Sequence, residues 1–411
     1  MKIHSLRLID SYLGPVCCRF LLLLKMAWEL ISPPRKVDPE TDPKKIIIMK
    51  FWGMGTILLA SSSIRNIKKK YPSSEITLLT LLMNKELCSI LPVFDKRLYL
   101  EIGTPLKFLL SYLRVLYIVR KHGYDTVIDL EFITNFSALT TILITIFSKP
   151  KKIIGFNSPV KWRNLIYSFT VSFDHSRHIS MIFSKMFAIL HLDSNSTSFE
   201  KEREDLLRAA DTKFFRDYSG LNDLEKESRR LISVNINAGA LSHLRRWPRE
   251  NFAYIIKNLV EGHLDVSLVL IGSKEDTSYV QGLLSQFPKT DQIFNLCGQL
   301  SIRQLIGLFS KSSFLITNDS GPLHIAAALS LPTISFFGPE TPYLYGPQGS
   351  HHHVFYSDIF CSPCLNIYNS KLRDCQENVC LQKISSASVL KVIEENFLNL
   401  THSDFQKTSK L

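Results

Sequence analysis

Apolar positions along this chain fall into short β-branched runs separated by stretches of helical period. The segment "IIIMKFWGMGTILLASSSIRNIKKKYP", Ile46 to Pro72, sets the pattern. Its apolar run meets Gly53 and Gly55, continues with helical spacing, and ends in a basic cluster and a proline: a strand, a tight turn and a helix. Further strands are predicted at Glu75–Leu79, Leu98–Glu101, Thr126–Leu130 and Lys149–Phe156, with helical patterns between them. A charged, turn-rich region from about Asp193 to Arg230 follows. A second series then runs through "LISVNINAG", "VSLVLIGS", "IFNLCG", "SSFLITNDSG" and "PTISFFGP". These nearly continuous apolar runs, each closed by Gly, Asp, Asn or Ser, are the signature of buried parallel strands. The polar closures sit at strand carboxyl ends, the edge of an open α/β sheet where ligands bind. The expected fold class is therefore α/β, two Rossmann-like doubly wound parallel-sheet domains facing across a cleft.

The 411 residues exceed one ordinary core, and 45% hydrophobic against 21% charged residues describes a globular chain. The expected organisation is an amphipathic extension and linker over 1–44, a first domain over 45–215, a second over 216–395 and a polar tail over 396–411. In the extension, Arg19 and Lys25 interrupt the apolar run short of a membrane span, and no small-residue cleavage site follows. An amphipathic helix fits better. Leu13, Val16, Phe20, Leu24 and Trp28 would form its apolar face, on a membrane or on the protein itself, with Arg7, Arg19 and Lys25 near lipid headgroups. The linker "PPRKVDPETDPKK" then leads to the first strand.

A net charge of +12 points to an anionic partner: nucleic acid, an anionic membrane surface or phosphorylated small molecules. The basic residues are dispersed, with neither a basic tail nor a zinc-finger or RNA-recognition signature, which argues against nucleic acid. Lys68, Lys69, Lys70, Lys161 and Arg163 are candidates for a phosphorylated partner or for a solvated face.

Three segments carry candidate chemistry. In "FLITNDSGPLHIAAALSLPTISFFGPETPYLYGP" a buried strand ends at Asn318 and Asp319, Ser320, Gly321 and Pro322 form the turn, and the next helix starts with His324 in its first turns. Gly321 permits close backbone approach, and the free N–H groups of the helix start suit phosphate oxygens. Asp319 suits either a helix cap or the ligand edge. In "NINAGALSHLRRWPRENFAYIIKNL" a loop carries Arg245, Arg246 and Trp247 before Pro248 opens a helix; guanidinium forks there suit a diphosphate. In "VLIGSKEDTSYV", Glu275 follows a strand and Gly272, where an acid either accepts from ribose hydroxyls or caps the helix.

With "NDSGPLHIAAA", "FFGPETP", "RRWPRENF" and the opening strand-turn, the sequence resembles glycosyltransferase family 9, the heptosyltransferases of lipopolysaccharide core assembly, over about Lys45 to Ile393. The resemblance implies a GT-B fold and inverting sugar transfer without a catalytic metal, from a nucleoside diphosphate donor (ADP-heptose by analogy) to a glycolipid acceptor. It implies that Ser320, Gly321 and Pro322 line the donor phosphates, that Asp319 and His324 sit beside the donor sugar or phosphates, that Arg245 replaces the family's phosphate-contacting lysine, and that Glu275 is the acid on the ribose. A cytoplasmic enzyme, peripheral on the inner face of the cytoplasmic membrane, would follow.

The pattern breaks at the first turn. The family's typical general-base aspartate follows a glycine there, and this chain has Gly55 and Thr56, whose hydroxyl is no useful base; Ser62 replaces the usual proline. Either the chain is a non-catalytic nucleotide-sugar-binding relative, or another base serves, or donor activation dominates. Glu131 in "TVIDLEF" is the candidate substitute, with Asp129 two residues before it, unless both merely cap the strand end. Finally, Cys361, Cys364, Cys375 and Cys380 are spaced as ligands of a structural zinc or an iron–sulfur cluster, or as two disulfides, or as reduced thiols. His351, His352 and His353 read as a surface run.

Overall fold

A computed structural model describes residues 12–31, 41–132, 134–192, 199–216, 218, 229–239, 243–366, 375 and 377–398. Arg7, the linker from 32 to 40, residues 193–198, 217 and 219–228 of the turn-rich region, and the tail from 399 lie outside them. The chain divides into two compact units at Ser198 and Phe199.

The first unit runs α1 (Gly14–Ile31), β1 (Lys45–Met49), α2 (Met54–Lys70), β2 (Glu75–Leu81), α3 (Lys85–Ile90), β3 (Lys96–Leu100), α4 (Pro105–His122), β4 (Thr126–Asp129), α5 (Asn135–Ser148), β5 (Lys152–Phe156), α6 (Lys161–Asn164), β6 (Phe169–Val171) and α7 (Ile179–Ala188). Its parallel sheet has the order β3-β2-β1-β4-β5-β6. β1 is central, pairing Ile46 with Ile76 on one side and with Thr126 on the other. The second unit begins with α8 (Glu200–Ala209) and continues β7 (Arg230–Asn235), α9 (Arg249–Gly262), β8 (Val266–Leu270), α10 (Thr277–Leu284), β9 (Ile293–Asn295), α11 (Ile302–Phe309), β10 (Phe314–Asn318), α12 (Gly321–Ala328), β11 (Thr333–Phe337), α13 (Pro342–Tyr345), β12 (His352–Tyr356), α14 (Val379–Gln382) and α15 (Ser386–Asn396). Its sheet, also parallel, has the order β12-β11-β10-β7-β8-β9. In both sheets the order reverses beside the first strand, the arrangement that opens a crevice at the carboxyl edge of a doubly wound sheet.

Local chemistry explains the element ends. α4 starts where Thr104 accepts from the Lys107 N–H and Pro105 fills the first turn, and it stops at Gly123 with φ 66°. α11 opens on a reciprocal cap between Ser301 and Gln304. The edge strand β6 escapes the apolar pattern because only three residues pair. α8 groups with the second unit and not with the first: just beyond it, Asp211 lies against Gly307 of α11 so closely that a Cβ on Gly307 would meet the Asp211 carbonyl oxygen at 2.1 Å.

In α1, Cys18 and Leu22 enter the core beneath α5, where Gly14 lets the two helices approach closely at Asn135. Leu13, Val16, Phe20 and Leu24 are exposed and not packed on the described residues; the Trp28 side chain lies outside the described residues. Lys25 is a correction. It is buried on the inner face of α1 and does not reach a headgroup layer. Arg19 remains exposed, its guanidinium 6.0 Å from the Trp162 ring centre. Arg163 is another correction, for it is buried and donates from Nη2 to Ser137 Oγ at 3.0 Å, out of reach of an acceptor. Lys68 pairs with Asp95 and Lys70 donates to the His191 carbonyl.

Gly155 in β5 lies under Tyr167, whose ring would sit 2.2 Å from an added Cβ. That ring cannot yield freely, because its hydroxyl donates to Asp129 at 2.8 Å inside the core. Gly155→Ala should therefore lower stability by about 1–3 kcal/mol, read as a shift in urea midpoint. An unchanged midpoint would mean that the Asp129–Tyr167 contact is not held in place.

Candidate functional site

The carboxyl ends of β7, β8 and β10 assemble a polar floor in the second unit. Asn235, the last residue of β7, donates from Nδ2 to Thr317 Oγ1 and to Ser320 Oγ, both at 2.9 Å. Asn318, the last residue of β10, donates to the Ile236 carbonyl at 2.9 Å and accepts from the Trp247 backbone N–H at 2.8 Å. These buried asparagines tie two strand ends and the arginine loop into one piece. Ser320 thus spends its hydroxyl on Asn235 and makes no cap bond to α12. The N–H groups of the helix start keep the electropositive character that attracts anions. His324 is buried one turn into α12.

Arg245 stands over this floor. Its Nη1 donates to Asp319 Oδ2 at 3.0 Å and its Nη2 to the Ala238 carbonyl at 2.8 Å, and both partners of the ion pair are largely shielded from solvent. The structure therefore brings Arg245, Asp319, Ser320, Gly321, Pro322 and His324 together at one strand edge. Arg246 turns the other way, pairing with Asp276 at 3.0 Å and lying 4.3 Å above the Tyr279 ring. Asp276 is the capping residue: it accepts from the Ser273 N–H and hydroxyl at 3.1 and 2.7 Å. Its neighbour Glu275 is exposed, and its carboxyl is held below the usual range first by its own backbone N–H and then by the Ser273 hydroxyl. Gly272 has no room for a side chain, since an added Cβ would meet Asn237 Nδ2 at 2.4 Å.

Trp247 anchors the loop from below. Fully buried, it stacks on Phe336 at 4.1 Å and donates from its indole N–H to the Ile384 carbonyl at 3.1 Å. Asn378 donates to the carbonyls of Leu244 and Arg246. Asn235, Asn318, Asp276 and Asn378 all escape the sequence reading as supporting residues. Asn at the end of an apolar run was the available signal for the first two; Asn378 gives none.

In the first unit, the β1–α2 turn is braced by a buried carboxylate. Glu131 Oε1 accepts from Lys50 Nζ at 2.8 Å and from the Phe132 N–H at 3.1 Å, and Oε2 accepts from the N–H groups of Phe51 and Trp52 at 2.7 and 3.0 Å. Both side chains of the Lys50–Glu131 pair are 1% exposed, with Phe132 stacked on the ammonium. Asp129 is equally buried, accepting from Tyr167 Oη, Thr141 Oγ1 and the Glu131 N–H. Burial pushes its carboxyl upward, against the opposing pull of Arg163 and Tyr167. Thr56 donates to the Gly53 carbonyl at 2.6 Å, in a helix start whose Gly53 has φ 84°. Gly53 cannot be replaced cheaply, since a Cβ there would crowd Thr56 Oγ1 at 2.8 Å and the φ is left-handed.

Among the described residues, no group of three or more His, Cys, Asp or Glu side chains is disposed to hold a metal, and Cys361, Cys364, Cys375 and Cys380 are unlinked. Cys380 is buried against Gly338, and burial, with the neighbouring Cys364, Cys361 and Cys375 adding to it, pushes its thiol up to about 11. The zinc or iron–sulfur expectation therefore finds no support in this geometry. His351, His352 and His353 are half-buried and not simply a surface run: His351 precedes β12, His352 and His353 open it, and burial drives His352 down to about 3.

Two doubly wound parallel sheets, the second carrying an arginine above a helix start at its carboxyl edge, are the architecture of the glycosyltransferases built from two Rossmann-like units. Residues 113–373 match the family model described as glycosyltransferase family 9 (heptosyltransferase), and the chain belongs to that family. It is 22% identical over 362 residues to lipopolysaccharide heptosyltransferase 1 of Campylobacter coli, covering 86% of this chain and 99% of the relative. The fold is similar to the crystal structure of a family 9 glycosyltransferase from Veillonella parvula, with TM-score 0.67, 22% identity and coverage of 88% and 99%. It is also similar to E. coli heptosyltransferase WaaC with ADP, with TM-score 0.64, 16% identity and coverage of 86% and 99%.

Proposed function

We propose that the protein is an inverting heptosyltransferase that moves heptose from ADP-heptose to a lipopolysaccharide core or related glycolipid at the cytoplasmic face of the inner membrane. The observation that carries this reading is Arg245 held by Asp319 over the start of α12. In this reading, the second unit, from Phe199, takes the donor and the first unit takes the acceptor. Arg245 and the N–H groups around Ser320, Gly321 and His324 take the donor diphosphate, and Glu275 accepts from the ribose. As the sugar–phosphate bond breaks, charge accumulates on the leaving diphosphate. A guanidinium and a fixed helix start are already oriented to stabilise it, with no metal required. ADP seen on WaaC, a structure of the same fold, is consistent with an adenine nucleotide here.

The proton of the acceptor hydroxyl is a separate matter. Glu131 already accepts three backbone N–H groups and an ammonium, so we assign it to bracing the turn, with Asp129 packed behind it and Thr56 closing the helix start. Catalysis in this reading rests mainly on leaving-group stabilisation and positioning. The test is ADP release from ADP-heptose in the presence of heptose-deficient lipopolysaccharide. Release that depends on the acceptor is expected. Tight ADP binding with no turnover on any such acceptor would instead identify a non-catalytic nucleotide-sugar-binding relative.

A further inference from the structure

α4 carries two apolar stripes where a helix over a sheet needs one. Tyr112, Val115 and Val119 face the core. On the opposite side Leu106, Leu109, Leu110, Leu113 and Tyr117, spaced i, i+3, i+4, i+7 and i+11, are each between 52% and 66% exposed. α1 repeats the arrangement: beneath it lie Cys18 and Leu22, and outward point Leu13, Val16, Phe20, Leu23 and Leu24. α5 packs against both helices, contains no charged residue, and leaves Leu139 and Leu143 only partly covered between them. The three helices thus form one apolar surface on one side of the first sheet, each outer helix about 27 Å long.

The exposed charges among the described side chains of the two outer helices are all basic. Among the described side chains, the exposed charged residues of α1 and α4 are Arg19, Lys107, Arg114, Arg120 and Lys121. Lys107 pairs with Glu101, just before α4. No described helix is long and apolar enough to cross a membrane. An apolar plate edged by cations is the composition of a helix layer that lies in a headgroup region, with leucines at the acyl boundary and long basic side chains reaching the phosphates. A second copy of this chain is a poorer occupant, because a two-fold interface would set both basic edges against each other.

We propose that the α1–α5–α4 surface docks flat on an anionic bilayer. The inference deepens the proposed function, since a glycolipid acceptor is presented at such a surface, and it rests on that reading only for its purpose. The experiment is flotation of the full chain with phosphatidylcholine vesicles with and without phosphatidylglycerol. Binding is expected with the anionic lipid and should weaken with added salt. Leu109→Gln/Leu113→Gln on α4 and Leu23→Gln/Leu24→Gln on α1 should each reduce the bound fraction about tenfold. These side chains are exposed, so the fold should survive, as unchanged thermal unfolding would verify. Leu264→Gln, at an 84% exposed leucine of the second unit, should float like the parent. The proposal fails if the α4 variant floats like the parent. It also fails if the chain ignores vesicles and instead sediments as a dimer that the α4 variant dissociates. ADP binding separates the two readings: the α4 variant should bind ADP like the parent, whereas a parent that floats yet never binds ADP would sink the donor reading and leave the bilayer surface standing.

Discussion

Glu131→Gln lowers the stability of the protein by about 3–5 kcal/mol, because it leaves the Lys50 ammonium buried without its counter-charge. Glutamine keeps the volume but offers one oxygen in place of two and adds a donor beside Lys50. The Phe51, Trp52 and Phe132 N–H groups then compete for what remains. Lys50→Met/Glu131→Leu removes both charges and should recover much of the loss, since well-packed apolar replacements of a buried pair are often neutral. Urea denaturation of the two variants measures this. The same variants decide the chemistry. If Glu131→Gln folds like the parent at low temperature and turnover still collapses by about 10²–10⁴-fold, Glu131 is the base after all and the bracing role assigned to it is wrong.

Arg245→Met should weaken ADP binding by about ten- to a hundredfold, the worth of one charge-assisted contact to a diphosphate. Isothermal titration gives the number. The substitution also strands the Asp319 carboxylate, 6% exposed, so some stability is lost with it. Asp319→Asn/Arg245→Met separates the two effects, restoring stability without restoring affinity. Arg245→Lys keeps the charge at the position where the resemblance implies a lysine, and should bind ADP between the parent and the methionine variant. ADP affinity that is indifferent to Arg245→Met would place the diphosphate elsewhere.

The strands were readable because a strand buried on both faces must be apolar throughout, so "FLITN" and "LISVN" declare themselves. Their closing asparagines were visible as punctuation, but not as the ties they form. Asp319, Ser320 and Gly321 could be placed at that edge for the same reason: they stand immediately after such a run, where chain order and spatial order coincide. What pattern reading misplaced are charges that leave the solvent. Lys25 and Arg163 look like surface cations, and the Lys50–Glu131 pair joins residues 81 apart in the chain. No local periodicity reports such a partnership, because its favourable energy exists only after both groups are desolvated together. The outer stripe of α4 was hidden by the opposite fault. A helix apolar nearly all round looks simply well buried, and only the structure shows which leucines remain uncovered.

The arginine loop has a further consequence for how the molecule is made. Its backbone is held by Asn378, and its tryptophan by the carbonyl of Ile384, residues 132 to 137 positions later in the chain. A nascent chain that has already threaded β7, the loop and β10 out of the ribosome still lacks these two fastenings. The second unit therefore matures late in synthesis, and a ribosome stalled before residue 378 would display its strands with Arg245 not yet fixed in place.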